Sequence, residues 1–225
     1  MGDIQATAAL LAVLDFTSVD REEFDAWYDT EHIPERLRVP GILAAQRWLV
    51  SGIADTSVAF YDLSDLDVLT TPEYRKISGE SLSPWSKRMI GKCDSFRYYE
   101  ARQLTFDQEP SPATAKGFYV VGMNVEDSFE AEFNAWYDEE HLPRLKALSG
   151  VIRARRYLTV EGPHRYFAVY HLDDPGLVGS PAWLEAAETP WTHRVRPRTY
   201  DRFKLVCHPF SSDAPDQALV GGGAQ

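Results

Sequence analysis

Cysteine is scarce in this chain, which has only two among its 225 residues. Cys93 and Cys207 belong to no CxxC pair and to no Cys/His cluster with the spacing of metal ligands. We interpret both as reduced residues of a core or a strand. The sequence also lacks a GxGxxG turn after a strand, a Walker loop, a GxSxG elbow and an HExxH pair. Nothing in it therefore requires a nucleotide or a metal.

Positive charge and long apolar segments are scarce as well. The chain has 23 Lys and Arg against 34 Asp and Glu, which gives a formal net charge of −11. This excess of negative charge argues against general affinity for nucleic acid or for anionic membrane surfaces. The first apolar stretch follows no basic leader and is too short to span a bilayer. We predict a cytoplasmic protein with neither nucleic acid nor membrane as a partner.

The chain instead contains an internal repeat. Residues 22–34 read EEFDAWYDTEHIP and residues 131–143 read AEFNAWYDEEHLP, with nine identities in thirteen positions at an offset of 109. The same offset joins later pairs of identical residues, namely Gly41 and Gly150, Arg47 and Arg156, Tyr61 and Tyr170, and Pro72 and Pro181. A whole unit of about 100 residues is therefore duplicated.

Both copies predict the order β-α-β-β-α-β. Apolar, β-rich or alternating runs predict strands over residues 8–16, 42–50, 57–63 and 95–104, and over 117–125, 151–160, 165–172 and 199–207. Asp20 and Asp127 each stand three residues before a glutamate and predict capping boxes for the first helix of each copy. Later helix starts are predicted where a hydroxyl residue precedes proline, at Thr71, Ser83, Ser180 and Thr189.

This order is typical of the ferredoxin-like unit, an antiparallel sheet with both helices on one face. The open sheet faces of two such units can cover each other. We therefore predict an α+β fold of two tandem ferredoxin-like units packed sheet to sheet as an intramolecular barrel. The predicted boundaries are residues 1–105 for the first unit, 106–116 for a linker, 117–210 for the second unit and 211–225 for a disordered tail.

The pattern F-x-x-W-Y-x-x-E-H-x-P, followed by a PG or SG pair and then by Arg-Trp or Arg-Tyr, resembles the EthD-like branch of the dimeric α/β-barrel superfamily. The resemblance covers nearly the whole chain in tandem, so the chain resembles a fused version of such a dimer. It implies a superfamily that includes cofactor-free monooxygenases, muconolactone isomerases, polyketide cyclases and haem-dependent enzymes. Fold-level resemblance selects none of these reactions, so the site residues must carry the argument.

His32 and His141 are the first catalytic candidates. Each follows a glutamate directly and an aspartate by three residues, and Tyr28 or Tyr137 lies one helical turn away. A histidine so placed can exchange protons near neutral pH, and the tyrosine can orient or stabilise an enolate. The alternative is a structural role, because a histidine near a helix C-terminus can bond the last carbonyls. Trp27 and Trp136, by contrast, are predicted to belong to the core.

Predicted substrate-binding residues come from the strands and from the second helix of each copy. Arg47 and Arg156 can hold a carboxylate or phenolate in a planar fork, or can pair with Glu31 and Glu140 instead. The aromatic candidates for a pocket wall are Trp85, Trp191, Tyr61 and Tyr170. Alternation along a strand does not tell which of its faces lines a cavity.

The differences between the copies favour the second one. Lys87 of the first copy becomes His193, Asp62 becomes His171, and His164 also occurs only in the second half. His193 is therefore a further catalytic candidate and His171 a further substrate-binding one. If a single half retains chemistry, we expect it to be the second.

The leading hypothesis is a cofactor-independent enzyme of proton-transfer chemistry, an isomerase, cyclase or lyase acting on a small aromatic or lactone-like metabolite. The first alternative is an oxidative enzyme that uses O2 directly or uses haem, with His164, His171 or His193 as the axial ligand. The second is a non-catalytic protein that binds a hydrophobic metabolite. No cofactor is expected apart from this haem alternative, and association into a homo-oligomer stays open.

Overall fold

The computed structural model describes residues 5–210, which form a closed antiparallel barrel of eight strands with the helices on its outside. The strands are β1 (Ala8–Asp15), β2 (Ile42–Val50), β3 (Thr56–Leu63), β4 (Ser95–Gln103), β5 (Gly117–Val125), β6 (Val151–Glu161), β7 (Tyr166–Leu172) and β8 (Thr199–Pro209). The predicted strands are confirmed, with bounds that differ by at most two residues.

The α-helices are α1 (Arg21–Trp27), α2 (Ile33–Leu37), α3 (Pro72–Arg75), α4 (Pro84–Lys92), α5 (Glu130–Trp136), α6 (Leu142–Lys146), α7 (Pro181–Ala187) and α8 (Pro190–Val195). All four predicted hydroxyl caps are confirmed, because each side chain accepts the backbone N–H three residues later. Asp20 caps α1 in the same way, at 2.9 Å from the amide of Glu23. The cap predicted at Asp127 is wrong, because a short 3₁₀ turn, Asp127–Phe129, precedes α5.

Hydrogen bonding between strands divides the barrel into two four-stranded sheets of the same order. The first sheet runs β4-β1-β3-β2 and the second runs β8-β5-β7-β6. The ladders β2 with β8 and β4 with β6 then join the sheets edge to edge. Closure leaves no unpaired edge, since every strand has two hydrogen-bonded neighbours.

Side-chain alternation creates two kinds of core. On β1, Leu11 and Val13 point into the barrel, whereas Leu10 and Ala12 lie under the helices of the first half. On β5, Phe118 lies inside the barrel and Tyr119 lies under the helices of the second half. Each half therefore has its own sheet-to-helix layer, and both halves share the barrel interior.

The connections on either side of the sheets are ordered. Gly41 and Gly150 precede β2 and β6, both at φ +94°, a left-handed conformation that favours glycine. The segment between β4 and β5, which we predicted as a linker, lies against the barrel: the amide of Ser111 donates to Asp62 and the carbonyl of Pro112 accepts from Gln46.

The tail predicted for residues 211–225 lies outside the described residues. Within residues 5–210, no helix is both long and apolar enough to cross a membrane.

Candidate functional site

A π-helical turn carries the repeated motif in both halves. It spans Tyr28–His32 between α1 and α2, and Tyr137–His141 between α5 and α6. The helix therefore continues through the histidine and then through Pro34 or Pro143, since a wider turn tolerates the absent proline N–H. π-Helical turns occur often at functional sites. The capping role considered for both histidines is wrong, because the helix does not end at either residue and neither Nδ1 atom has a hydrogen-bond partner among residues 5–210.

The motif packs its rings in the same way in both halves. The centroids of Trp27 and His32 lie 4.5 Å apart, and those of Trp136 and His141 lie 4.2 Å apart. Nε1 of Trp136 donates to Thr192 at 3.1 Å, and Nε1 of Trp27 donates to Ser86 at 3.0 Å. The prediction that both tryptophans belong to the core is confirmed, because both are buried. Each histidine is thereby held against a fixed indole ring.

A cavity of about 240 Å³ opens in the second half, between the sheet and the helices. His141 and Tyr137 line it from the helical motif, Tyr119 and Tyr170 from the strands, and Trp183 from α7. The remaining lining comes largely from aliphatic side chains of the same layer. The structure therefore brings together three of the predicted site residues, Tyr137, His141 and Tyr170, in one pocket.

His141 lines this pocket as a neutral imidazole. Burial, followed by the positive charges of Arg196 and Lys204, lowers the pKa of its imidazole to about 3, although Glu188 acts in the opposite direction. Its Nδ1 atom is buried and has no hydrogen-bond partner among residues 5–210. An uncharged imidazole with an unpaired nitrogen can take or give a proton once a ligand is present.

Three tyrosines supply hydroxyl groups. Burial raises the pKa of Tyr137 to about 12, and it also raises the pKa values of Tyr119 and Tyr170. The hydroxyl of Tyr170 is buried and unpaired within the described residues. All three are therefore protonated at neutral pH and can donate hydrogen bonds to an oxygen that gains negative charge.

Charged side chains surround the mouth of the pocket. Glu188 follows α7, Arg196 follows α8, and Arg202 and Lys204 lie on β8. Both terminal nitrogens of Arg196 donate to the carboxylate of Glu188, at 2.8 and 2.5 Å. Sequence reasoning missed all four residues and Trp183. The signal that could have found them is the comparison of the copies, at the offset of 109 for Trp183 and at an offset of 106 for the four charged residues.

The equivalent space in the first half contains larger or charged side chains. Arg36 replaces Leu145, and its guanidinium lies 5.1 Å from the ring centre of Tyr74, the counterpart of Trp183. Tyr98 replaces Lys204, and its hydroxyl donates to Glu100 at 2.8 Å. Nδ1 of His32 also has a carboxylate near it, since Oε1 of Glu35 lies 3.5 Å away.

The remaining members of the first-half motif are buried in the core. Tyr28 and Tyr61 pack in the apolar layer under the helices, and burial raises the pKa values of both hydroxyls. Burial likewise lowers the pKa of His32. The predicted catalytic and binding residues of the first half therefore lie together, but in packed surroundings.

The two predicted arginines lie behind the motif tyrosines, outside the lining of the pocket. Arg47 lies 4.6 Å from the ring centre of Tyr28 and pairs with Asp25 at 2.5 Å. Arg156 lies 4.4 Å from the ring centre of Tyr137 and pairs with Asp138 at 3.3 Å. The alternative pairing with the motif glutamates is wrong, because Ser83 donates to Glu31 and Thr189 donates to Glu140.

The other candidates lie away from the cavity. Trp85 and Trp191 pack at the edges of the two helical layers, and the side chain of His193 is exposed near Glu188. His171 lies inside the barrel, where its Nε2 pairs with the side-chain oxygen of Gln46 at 3.0 Å. His164 pairs through Nδ1 with the hydroxyl of Tyr99 at 2.7 Å. Within residues 5–210, no group of three His, Cys, Asp or Glu side chains is arranged to hold a metal.

No family model matches the chain, and no curated protein matches it in sequence. Among solved structures it is similar to an anthrone oxidase-like protein, with a TM-score of 0.65 and 11% identity over 92% of each chain. It is similar to a proposed monooxygenase from Lactobacillus acidophilus NCFM, with a TM-score of 0.61 and 10% identity over 89% of this chain and 93% of that one.

A point mutant of the chlorite dismutase from Candidatus Nitrospira defluvii also matches, with a TM-score of 0.55 and 11% identity over 91% of this chain and 92% of that one. At such low identity these similarities show the fold alone. The fold is α+β, with a closed antiparallel barrel of eight strands, and it is similar to the folds of these structures.

Proposed function

We propose that the protein is a cofactor-independent oxidative enzyme that acts on a small, enolisable aromatic compound in the pocket of the second half. The observation that carries this proposal is His141, a neutral imidazole that lines an aromatic cavity bordered by cations. Such a pocket can bind a planar ring, remove a proton from it and stabilise the anion that forms.

The proposed reaction takes both electrons from the substrate. His141 removes a proton from an activated CH2 group, and the resulting enolate transfers electrons to O2. A carbon–oxygen bond forms, and the hydroperoxide loses water to leave a carbonyl group. The balance is SH2 + O2 → S=O + H2O, in which one oxygen atom enters the product and the other leaves in water. The tyrosine hydroxyls that line the pocket stabilise the enolate.

The low pKa of His141 is that of the protein by itself. A general base works best when its pKa is close to the operating pH, and a value of about 3 is far below it. Burial and positive neighbours cause the shift, so a negative charge that develops on the substrate raises the pKa again. The imidazolium and the enolate then form together as an ion pair.

The similar structures support the oxidative alternative better than the leading hypothesis drawn from the sequence. One is named anthrone oxidase-like and another is named as a monooxygenase, although each shares only the fold with this chain. Anthrones are planar aromatic compounds with an activated CH2 group, so they are suitable first substrates for the test.

Proton transfer without O2, by an isomerase, cyclase or lyase, is the second candidate. The three protonated tyrosines of the pocket favour it, since they can hold an enolate oxygen without any oxidant. It uses His141 in the same role and differs only in the fate of the enolate. Simple binding of a hydrophobic metabolite is the third candidate.

The pocket does not fit a haem-dependent variant. The three histidines considered as axial ligands, His164, His171 and His193, all lie outside its lining. A volume of about 240 Å³ is below the range of roughly 300 to 1,000 Å³ of pockets for drug-sized ligands, so it is small for a porphyrin. The residues present therefore favour direct use of O2.

The proposal includes an origin by fusion of two ferredoxin-like units of EthD-like type. The repeated motif, the matching π-helical turns and the equal strand order of both sheets support it. In that case the second unit keeps an open site, and the first unit supports the barrel.

The experiment is an O2-uptake assay with the full chain and a panel of anthrones, naphthols and enol lactones, with product analysis by mass spectrometry. The proposal predicts uptake of one O2 per product, with a mass gain of 14 Da for conversion of CH2 to C=O. A product isomeric with its substrate, formed at the same rate without O2, supports the second candidate instead. Saturable binding without any product supports the third.

A further inference from the structure

We infer that the ligand of this pocket is an aromatic carboxylate, with its ring beside His141 and its acid group paired with Lys204 and Arg196 at the mouth. The inference rests on the proposed function, because it names the substrate class of the same site. Its first basis is a difference in charge between the two halves.

The charges at the mouth occur only in the second half. At the offset of 106, Glu188, Arg196, Arg202 and Lys204 correspond to Leu82, Ile90, Phe96 and Tyr98. Four apolar or aromatic positions have therefore become three cations and one anion. The chain as a whole has a net charge of −11, so this local excess of positive charge is opposite in sign to the net charge. A positive patch at a cavity mouth attracts and orients anions.

Lys204, like Arg202, is a cation of the mouth without a salt-bridge partner among residues 5–210. Among residues 5–210 no carboxylate lies within salt-bridge distance of its ammonium group, whereas both terminal nitrogens of Arg196 are already bonded to Glu188. Partial burial, then Arg196 and Arg202, lowers the pKa of Lys204, and Glu188 opposes this shift only in part, so a positive field remains. A ligand carboxylate can offset it.

The position of Lys204 sets the geometry of the ligand. It lies on the face of β8 that looks toward the helices, two residues before Val206, which also lines the pocket. The deeper walls are the rings of Trp136, Trp183 and Tyr119. A ligand with an aromatic body and one acid group at its end matches this order of apolar and charged surfaces.

Carboxylate binding also affects the base. Arg196 and Lys204 lower the pKa of His141, and Glu188 is the acidic group that opposes them. The other titratable groups of the pocket are Arg202 and the hydroxyls of Tyr119, Tyr137 and Tyr170. Because a bound carboxylate offsets the two cations, it makes His141 a stronger base while the substrate occupies the site.

The test compares an acid with its neutral isostere on the full chain. Titration of 2-naphthoate and 2-naphthamide, together with the benzoate and anthracene-carboxylate pairs, is followed by calorimetry and by tryptophan fluorescence, since Trp136 and Trp183 line the pocket. We expect the acids to bind about five- to tenfold more tightly than the amides, the size expected for a partly exposed pair with two cations. In Lys204→Gln, which keeps Arg196, this preference should fall to about two- to threefold.

Lys87→Gln is the matched control, because Lys87 is an exposed lysine on α4 of the first half and should leave the preference unchanged. Equal affinity of acid and amide for the wild type overturns the inference. So does an acid preference that is undiminished in Lys204→Gln, or a failure of every acid in the panel to bind. Neutral substrates that consume O2 would leave the proposed function standing without this inference. Acid-selective binding without O2 uptake would support this inference and contradict the proposed function.

Discussion

Nη1 of Arg155 lies 2.6 Å from Oδ1 of Asp62, and both side chains are completely buried inside the barrel. Asp62 belongs to the first half and Arg155 to the second, so the ion pair connects the halves. At the offset of 109 their counterparts are His171 and Gln46, which also pair with each other, at 3.0 Å. The equivalent positions of the two halves therefore contact each other at two places in the barrel. One contact is a buried ion pair, and the other is a neutral hydrogen bond.

The ion pair predicts a strong effect of a single substitution. Asp62→Asn leaves the guanidinium of Arg155 buried without its counter-charge, so we expect a loss of about 3–5 kcal/mol in the free energy of unfolding. Urea denaturation checks this. The double variant Asp62→His with Arg155→Gln recreates the neutral pair found at the equivalent position, and it should recover most of the loss. A double variant no more stable than the single one contradicts this account of the barrel interior.

His141 predicts an acid-sensitive stability. Its pKa in the folded protein, about 3, is lower than the 6.5 of an exposed histidine, so the unfolded chain binds more protons between these values. The contribution is complete above pH 6.5 and is lost as the pH falls. By about pH 5 the loss due to this residue reaches up to about 2 kcal/mol.

Urea melts of the wild type and of His141→Gln between pH 7.5 and pH 5 check this prediction, and the variant should show a shallower slope. His193→Gln is the control, because that side chain is exposed, and it should keep the slope of the wild type. An unchanged slope in His141→Gln would show that the imidazole is not held neutral.

Removal of the caps of α7 and α8 is expected to lower the stability of the protein by different amounts. Ser180 and Thr189 each cap a helix, but the hydroxyl of Thr189 also donates to Glu140 of the motif. Ser180→Ala should cost about 1 kcal/mol, as is usual for a lost cap. Thr189→Ala should cost about 2 kcal/mol, because a part-buried carboxylate then lacks a donor. Thermal unfolding measures both, and equal losses would show that the contact with Glu140 adds no stability.

Local rules explain which parts of the fold could be predicted. The hydroxyl-proline caps depend only on the residues beside them, so all four were found at the right positions. The cap at Asp127 was not, since the preference of this residue competes with a 3₁₀ turn that the sequence pattern does not distinguish. The π-helical turns that end at His32 and His141 were not predicted, because the following proline indicates a disturbance of the α-helix but not the form that it takes.

The site was predictable only in part. The motif pointed to His141 and Tyr137 directly, and the repeat pointed to Tyr170. Arg196 and Lys204 were missed because charged residues in a helical or alternating segment usually face solvent, and because the offset changes from 109 to 106 before α4 and α8. The pairing of each predicted arginine with a residue of its own half depends on tertiary packing, which spacing alone does not specify.

The central claim is that one half of a duplicated chain carries the chemistry, with His141 as its base. The most direct test is the ratio kcat/KM for O2-dependent turnover in the matched variants His141→Gln and His32→Gln, each compared with the wild type on the best substrate of the panel. The account predicts a loss of about 100-fold or more for His141→Gln, the usual contribution of a general base, and at most a few-fold loss for His32→Gln. Equal losses in both variants, or a loss confined to His32→Gln, would contradict it.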